Sequence, residues 1–187
     1  MRYFMGIDVG TNETKAVLIN EKCEIVAFAS RGHGLLNPQP GFFEHDAEKT
    51  WWGDFCHLSR QLLAESGVDA KDVGCVGLSA LGCDCVPVDA EGTALCNAIL
   101  YGVDSRSHKE IAWLYEYYGK EEAERLYGHE LCSSDIAPKI LWVKNNLPEV
   151  YEKTAKFLTG SSYLCAKLTG KFTIDRYLAE DFAPLYN

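Results

Sequence analysis

Gly6-Ile-Asp-Val-Gly-Thr-Asn-Glu-Thr-Lys15 (GIDVGTNETK) places two glycines, two threonines, Asp8 and Lys15 within ten residues. That is the equipment of a phosphate-binding turn, and its surroundings decide which kind. A P-loop requires G-x-x-x-x-G-K-[ST] between a strand and a helix. Here no lysine follows Gly10. A dinucleotide fingerprint requires G-x-G-x-x-G at the opening of a helix, whereas the residues after this loop, Lys15–Asn20, read as strand. A β-hairpin whose bend holds phosphate is the remaining geometry. Gly10 permits a backbone conformation that other residues resist. The amides of Thr11 and Asn12 can then face phosphate oxygens, and the Thr11 hydroxyl adds a donor. Asp8, at the end of the strand, is placed for the shell of a Mg²⁺ ion, which keeps several waters and takes one or two carboxylates. Lys15 adds positive charge. The same residues also make an ordinary tight hairpin, with glycine in the bend and aspartate as a turn former. The stretch alone leaves both open.

On either side of the loop, Tyr3–Val9, Thr14–Asn20 and Glu24–Ser30 are short apolar runs separated by turn residues. The gaps are too short for crossover helices, so the chain opens as an antiparallel meander. A loop over 31–45 carries Gly32, Gly34, Pro38, Pro40 and Gly41. A helix is expected from Asp46 to Gly67, with Trp52, Phe55, Cys56, Leu62 and Leu63 on one face. Strands are expected at 73–79, 85–88 and 98–101, and helices at 105–118, 121–127, 135–146 and 149–153. A short strand at 157–158 and a last helix capped by Ser161 and ended by Gly170 complete the pattern. Three meandering strands, a helix, a strand, then mixed elements is the order of an α/β, ribonuclease-H-like (actin-like ATPase) domain with a mixed sheet flanked by helices. The apolar ending Phe182–Asn187 is that expected of a chain cut from something longer.

The bulk composition agrees with a globular protein: 47% of residues are hydrophobic and 24% charged. A net charge of −9 argues against nucleic acid and anionic membrane surfaces, which require clustered lysine and arginine. No apolar run has the length of a membrane span, and the early charge in Met1–Asp8 is unlike a signal peptide. A cytoplasmic location is expected. The eight cysteines form no C-x-x-C pair, and several lie in apolar runs, as Cys75 does. That fits reduced, buried thiols better than a disulfide frame. Cys83-Asp84-Cys85 is a poor zinc signature. His45 and His57 have no partner at ligand spacing and read as surface or packing residues, and Trp51 and Trp52 as core.

Further stretches extend the reading. Pro38-Gln-Pro-Gly-Phe-Phe-Glu-His-Asp46 precedes Trp51-Trp52. Val76-Gly-Leu-Ser79, Val88-Asp-Ala-Glu-Gly92, Ala98-Ile-Leu-Tyr101, Pro138-Lys-Ile-Leu-Trp142 and Leu168-Thr-Gly-Lys-Phe172 follow in order. Together with the opening loop, this series resembles the N-terminal domain of the FGGY carbohydrate kinases over residues 1–187. The resemblance implies transfer of phosphate from ATP, with Mg²⁺, to a hydroxyl of a sugar or polyol. It also implies a phosphate loop of Gly10, Thr11, Asn12, Glu13 and Lys15, with Asp8 on the metal side. The substrate side would be Tyr101, Cys83, Asp84, Asp104 and Arg106.

Two departures are specific. Where xylulokinases carry Gln-Met-His-Gly against the sugar, this chain has Leu81-Gly82-Cys83-Asp84. The family's Trp-Asn-Asp-x-Arg becomes Tyr101-Gly-Val-Asp-Ser-Arg106. From the residues alone, Asp104 or Ser105 also reads as the cap of the next helix, Arg106 as one half of a structural ion pair, Cys83 as a thiol without chemistry and Asp84 as a turn residue. The family's catalytic aspartate and most of its adenine site lie in a second domain, so no base is expected within these 187 residues. Alternatively, the chain is a sugar- or partner-binding module without turnover, whose exposed inter-domain face would favour a homodimer.

Overall fold

The computed structural model describes residues 2–186, so the outermost residues of the expected 1–187 domain, Met1 and Asn187, lie outside the described residues. Strands β1 (Tyr3–Val9), β2 (Glu13–Asn20) and β3 (Ile25–Gly32) form the expected meander, and β5 (Val73–Ala80) joins its other side. The sheet order is β3-β2-β1-β5, with β1–β2 and β2–β3 antiparallel and β1–β5 parallel. This is the mixed sheet expected from the element order.

Alternation decides which face is covered. Met5, Ile7, Val9, Ala16, Leu18 and Ala29 are buried in the main core. Against them pack α1 (Gly53–Ser66), which touches β2 and β3, and α6 (Gly160–Thr169), which touches β5. Leu58 and Leu62 of α1 are fully buried; side chains of this size contribute about 1.5–3 kcal/mol each on burial. Among the described residues nothing covers the opposite face. In register across the strands run Cys75–Phe4–Ile19–Ile25, then Gly77–Gly6–Val17–Phe28, then Ser79–Asp8–Lys15–Ser30. Phe28 is 58% exposed and Ile25 69%.

Two small antiparallel sheets extend the domain: β4 (Glu44–His45) with β7 (Ala98–Ile99), and β6 (Val86–Val88) with β8 (Lys156–Leu158). Around them lie α2 (His108–Tyr118), α3 (Lys120–Tyr127), α4 (Ile136–Asn146), α5 (Pro148–Lys153) and α7 (Arg176–Glu180). Among the described residues no helix is long and apolar enough to cross a membrane.

Several local expectations need correction. Asp46 caps a helix as expected, accepting from the Lys49 amide at 2.9 Å, but the first turns, Ala47–Trp52, are a π-helix. The last long helix is capped by Thr159, whose Oγ1 accepts from the Ser162 amide, and not by Ser161. α2 begins at His108, after Ser107, so neither Asp104 nor Ser105 is its cap residue. The thiols are all free, but only Cys85 is fully buried, and Cys75 is exposed. The reason is position: β5 is an edge strand, and its Cys75 side lies on the bare face.

Candidate functional site

The parallel strands β1 and β5 end side by side, and the bend at Gly10–Asn12 lies just beyond β1. Ligands of α/β sheets bind outside such carboxyl ends. The bend is tight: the Gly10 amide donates to the Glu13 carbonyl at 3.0 Å. A Cβ on Gly10 would stand 3.0 Å from that same oxygen. Gly10 does not have a positive φ, so close approach, rather than the special backbone conformation expected, is what calls for glycine. The bend's own hydrogen bond leaves the Thr11 and Asn12 amides out of it.

Behind the bend sits a polar cluster that the sequence reading missed. His33 places one ring nitrogen 2.9 Å from Asp54 Oδ2 and the other 3.0 Å from the Gly10 carbonyl. Both neighbours are acceptors, so the ring bridges the bend and α1. Thr14 Oγ1 donates to Asp54 Oδ2 at 2.9 Å, and Arg31 Nε lies 3.3 Å from Asp54 Oδ1. The His33 amide donates to the Asn12 carbonyl at 2.8 Å. The loop is thus fixed to α1 through side chains 21 and 40 residues apart in sequence. A signal was present: Asp54 falls among Trp51, Trp52 and Phe55 on the apolar side of the helix, and a buried carboxylate requires a partner.

His45 stands next to this cluster, its ring 5.0 Å from that of His33. It is fully buried on β4, a packing residue and not a surface one. Its Nδ1 accepts from Trp51 Nε1 at 2.9 Å, which leaves its buried Nε2 without a partner. Burial, helped by the neighbouring His33, lowers its pKa to about 4.

The residues expected on the phosphate side divide between two places. Thr11 lines a small cleft of about 130 Å³ with Leu81, Leu100, Tyr101, Gly102 and Val103. Asp8 and Lys15 are cross-strand neighbours on the bare face. They line a shallow groove with Gly6, Gly77, Ser79 and Phe28. Lys15 Nζ reaches Glu13 at 2.9 Å, and that pairing raises its pKa.

Of the residues expected on the substrate side, Tyr101 lines the cleft and is 40% exposed. Asp84 is fully buried; its Oδ1 accepts from the Tyr101 amide at 3.0 Å, so it fixes the residue that does face the cleft. Its Oδ2 has no partner, and burial raises its pKa to about 7. Cys83 Sγ donates to Asp181 Oδ2 at 2.8 Å, and burial and that carboxylate push the thiol up to about 12. Lys139, fully buried in α4, donates to the Cys83 carbonyl at 2.8 Å. Burial, only partly offset by nearby acidic groups, lowers its pKa.

Asp104 and Arg106 are 1% and 5% exposed and are committed to each other. Arg106 Nε and Nη2 donate to Asp104 at 2.8–3.0 Å, and Nη2 reaches Glu44 Oε1 at 2.9 Å. The guanidinium lies over the rings of Phe42 and Trp142, at 4.2 and 4.9 Å, and those rings meet each other edge to face. Asp104 Oδ2 also accepts from the Phe43 amide at 2.6 Å. The pair joins the 42–45 segment, α4 and the loop that carries Tyr101.

Asp84 and His45 bias stability against pH in opposite directions. The ordinary values are 3.8 and 6.5. The folded chain keeps the Asp84 proton up to about pH 7, so this group's contribution is fully present below pH 3.8 and declines as pH rises through that window. The folded chain refuses a proton at His45 until about pH 4, so stability declines as pH falls from 6.5. Asp84→Asn removes the first slope and keeps the acceptor for Tyr101. Its unfolding free energy is expected to climb between pH 4 and 6.5 more steeply than the parent's, by on the order of 2–4 kcal/mol at about 1.4 kcal/mol per pKa unit. Denaturant titrations across the window measure this, and parallel slopes would contradict it.

A mixed sheet made of an antiparallel meander and a parallel fourth strand, with helices packed against it, is the sheet of the actin-like ATPase fold. A family model, "FGGY family of carbohydrate kinases, N-terminal domain", matches residues 3–181. The chain belongs to this family. It is 30% identical over 170 residues to the xylulose kinase of Bacillus subtilis, covering 91% of this chain and 34% of that protein. It is 29% identical over 180 residues to the autoinducer-2 kinase of Klebsiella pneumoniae, covering 94% of this chain and 33% of that protein. The crystal structure of xylulose kinase from Rhodospirillum rubrum superposes with a TM-score of 0.85 at 26% identity, over 96% of this chain and 36% of that one. The chain spans about a third of the length of the curated relatives it matches.

Proposed function

We propose that residues 1–187 form the N-terminal lobe of a cytoplasmic, xylulokinase-like carbohydrate kinase. The longer protein would use ATP and Mg²⁺ to phosphorylate a hydroxyl of a small sugar or polyol. The observation that carries this reading is that Thr11 of the bend and Tyr101 line one cleft at the carboxyl edge of the sheet. The donor set suits the implied groups: free backbone amides and a hydroxyl for phosphate oxygens, and an exposed carboxylate for a hard cation. Bound Mg-ATP would supply the transferable phosphoryl group and neutralise its charge.

In this reading the chain's own residues position and shield. Gly10, Thr11, Asn12, Glu13 and Lys15 hold the phosphate end, and Asp8 takes the metal's water shell. His33 and Asp54 keep the bend in place. Tyr101 offers a face to sugar C–H groups, with Asp84 fixing its backbone. Asp104 and Arg106 brace its loop, and Cys83 stands at the rim. The general base and the adenine site would come from a second domain. A second reading, a sugar- or partner-binding module without turnover, is favoured by the bare apolar sheet face with Phe28 and Ile25, which would support a homodimer.

Ligand-observed NMR against a panel of small sugars and polyols tests the cleft. At least one member is expected to bind, and Tyr101→Ala should weaken it several-fold, the about 0.5–1.5 kcal/mol of an aromatic contact. No binder in the panel, or an unchanged affinity in the variant, would defeat the assignment of the cleft.

A further inference from the structure

Away from the cleft, the turn between α3 and α4 gathers His129, Cys132 and Asp135. One potential ligand atom from each lies within 4.8 Å of the other two. Asp135 anchors the group: its side chain is 3% exposed, its Oδ2 accepts from the Cys132 amide at 2.7 Å, and its Oδ1 lies 2.8 Å from His129 Nε2. The His129 side chain is 48% exposed and free to swing outward.

We infer that this turn is a site for a divalent transition-metal ion of the zinc type. The spacing His-x₂-Cys-x₂-Asp supplies one nitrogen, one sulfur and one oxygen, a mixed set that suits zinc and not the all-oxygen preference of magnesium. Three protein ligands leave a fourth tetrahedral position for water. Metal–ligand distances of about 2.0–2.3 Å require ligand atoms roughly 3.3–3.7 Å apart. His129 Nε2 therefore has to move slightly away from Asp135 Oδ1, and its exposure allows that. Zinc takes the thiolate and the lone pair of His129 Nε2, so the Cys132 thiol proton leaves for solvent and the Nε2 proton that faces Asp135 passes by way of solvent to Nδ1, leaving a neutral ring. The N-terminal end of α4, which starts at Ile136, opposes a cation weakly at this exposed position, and three converging ligands outweigh it.

The ion would fix a segment that touches the cleft wall. Ser133 Oγ lies 3.4 Å from the Gly102 carbonyl, and the Ser134 carbonyl lies 3.5 Å from Lys139 Nζ. Residues 129–135 would thus be ordered by metal on the side facing the Tyr101–Val103 loop.

The test is titration of the reduced 187-residue chain with Co²⁺ and Zn²⁺. One equivalent of Co²⁺ is expected, with a near-ultraviolet thiolate-to-cobalt charge-transfer band that Zn²⁺ displaces. Cys132→Ser should abolish the band, while Cys23→Ser and Cys75→Ser, at exposed thiols elsewhere, should keep it. His129→Ala, at an exposed position, should weaken Zn²⁺ binding more than about tenfold without unfolding the chain. Absence of stoichiometric binding, a band that survives in Cys132→Ser, or unchanged affinity in His129→Ala would each overturn the site.

Discussion

Asp104→Ala is expected to destabilise the folded chain by about 3–5 kcal/mol, the cost of leaving a buried charge without its partner. The guanidinium of Arg106 is 3% exposed and takes its bidentate contact from Asp104. Glu44 holds only Nη2 and is itself shared with Asn97 Nδ2 at 2.8 Å. The substitution also removes the acceptor of the Phe43 amide. A domain of ordinary stability, about 5–15 kcal/mol, would lose a large part of it. Denaturant unfolding measures the loss. Arg125→Ala, which breaks an exposed pair with Glu122, serves as the contrast and should leave the midpoint unmoved. Equal, small effects of the two substitutions would show that the network does not hold the Tyr101 loop.

How the sequence relates to this structure follows from the range of the forces involved. The meander, the strand after the first helix and most later helices were legible because alternation, helical periodicity and glycine stops are local signals. Gly67 and Gly170 end their helices in the left-handed conformation, as expected. The hairpin character of GIDVGTNETK was legible for the same reason. The support of the bend was not. His33, Asp54 and Thr14 meet only after the sheet and α1 have packed, and nothing in their spacing announces it. Arg106, Asp104, Glu44 and Trp142 likewise come from separate segments. In both cases the clue is a charged residue at a position that packing buries, and burial is a tertiary property. Cys75 shows the converse: its apolar neighbours implied a covered strand, yet that face of the sheet has no covering layer among the described residues.

In the longer kinase proposed above, Asp8→Ala is expected to lower turnover by about 10²–10³-fold, in keeping with the several kcal/mol that a correctly held metal contributes to a charged transition state. The side chain is exposed at the carboxyl end of β1, one strand away from Lys15 and two residues before Gly10. It belongs to no buried network, so the folded state should survive the change. That separates it from Asp54→Ala, which would release His33 and the bend together. An unchanged rate in Asp8→Ala would remove the metal role from this carboxylate.

Sugar-dependent ADP release, measured on the 187-residue chain alone and on the same chain joined to a C-terminal nucleotide-binding lobe, decides whether this lobe serves a kinase. Release is expected from the joined protein, with its collapse in the Asp8→Ala form, and only background from the isolated chain, since in the proposed reading the general base comes from the second domain. Turnover by the isolated chain equal to that of the joined protein, or no sugar-dependent release from either, would contradict it.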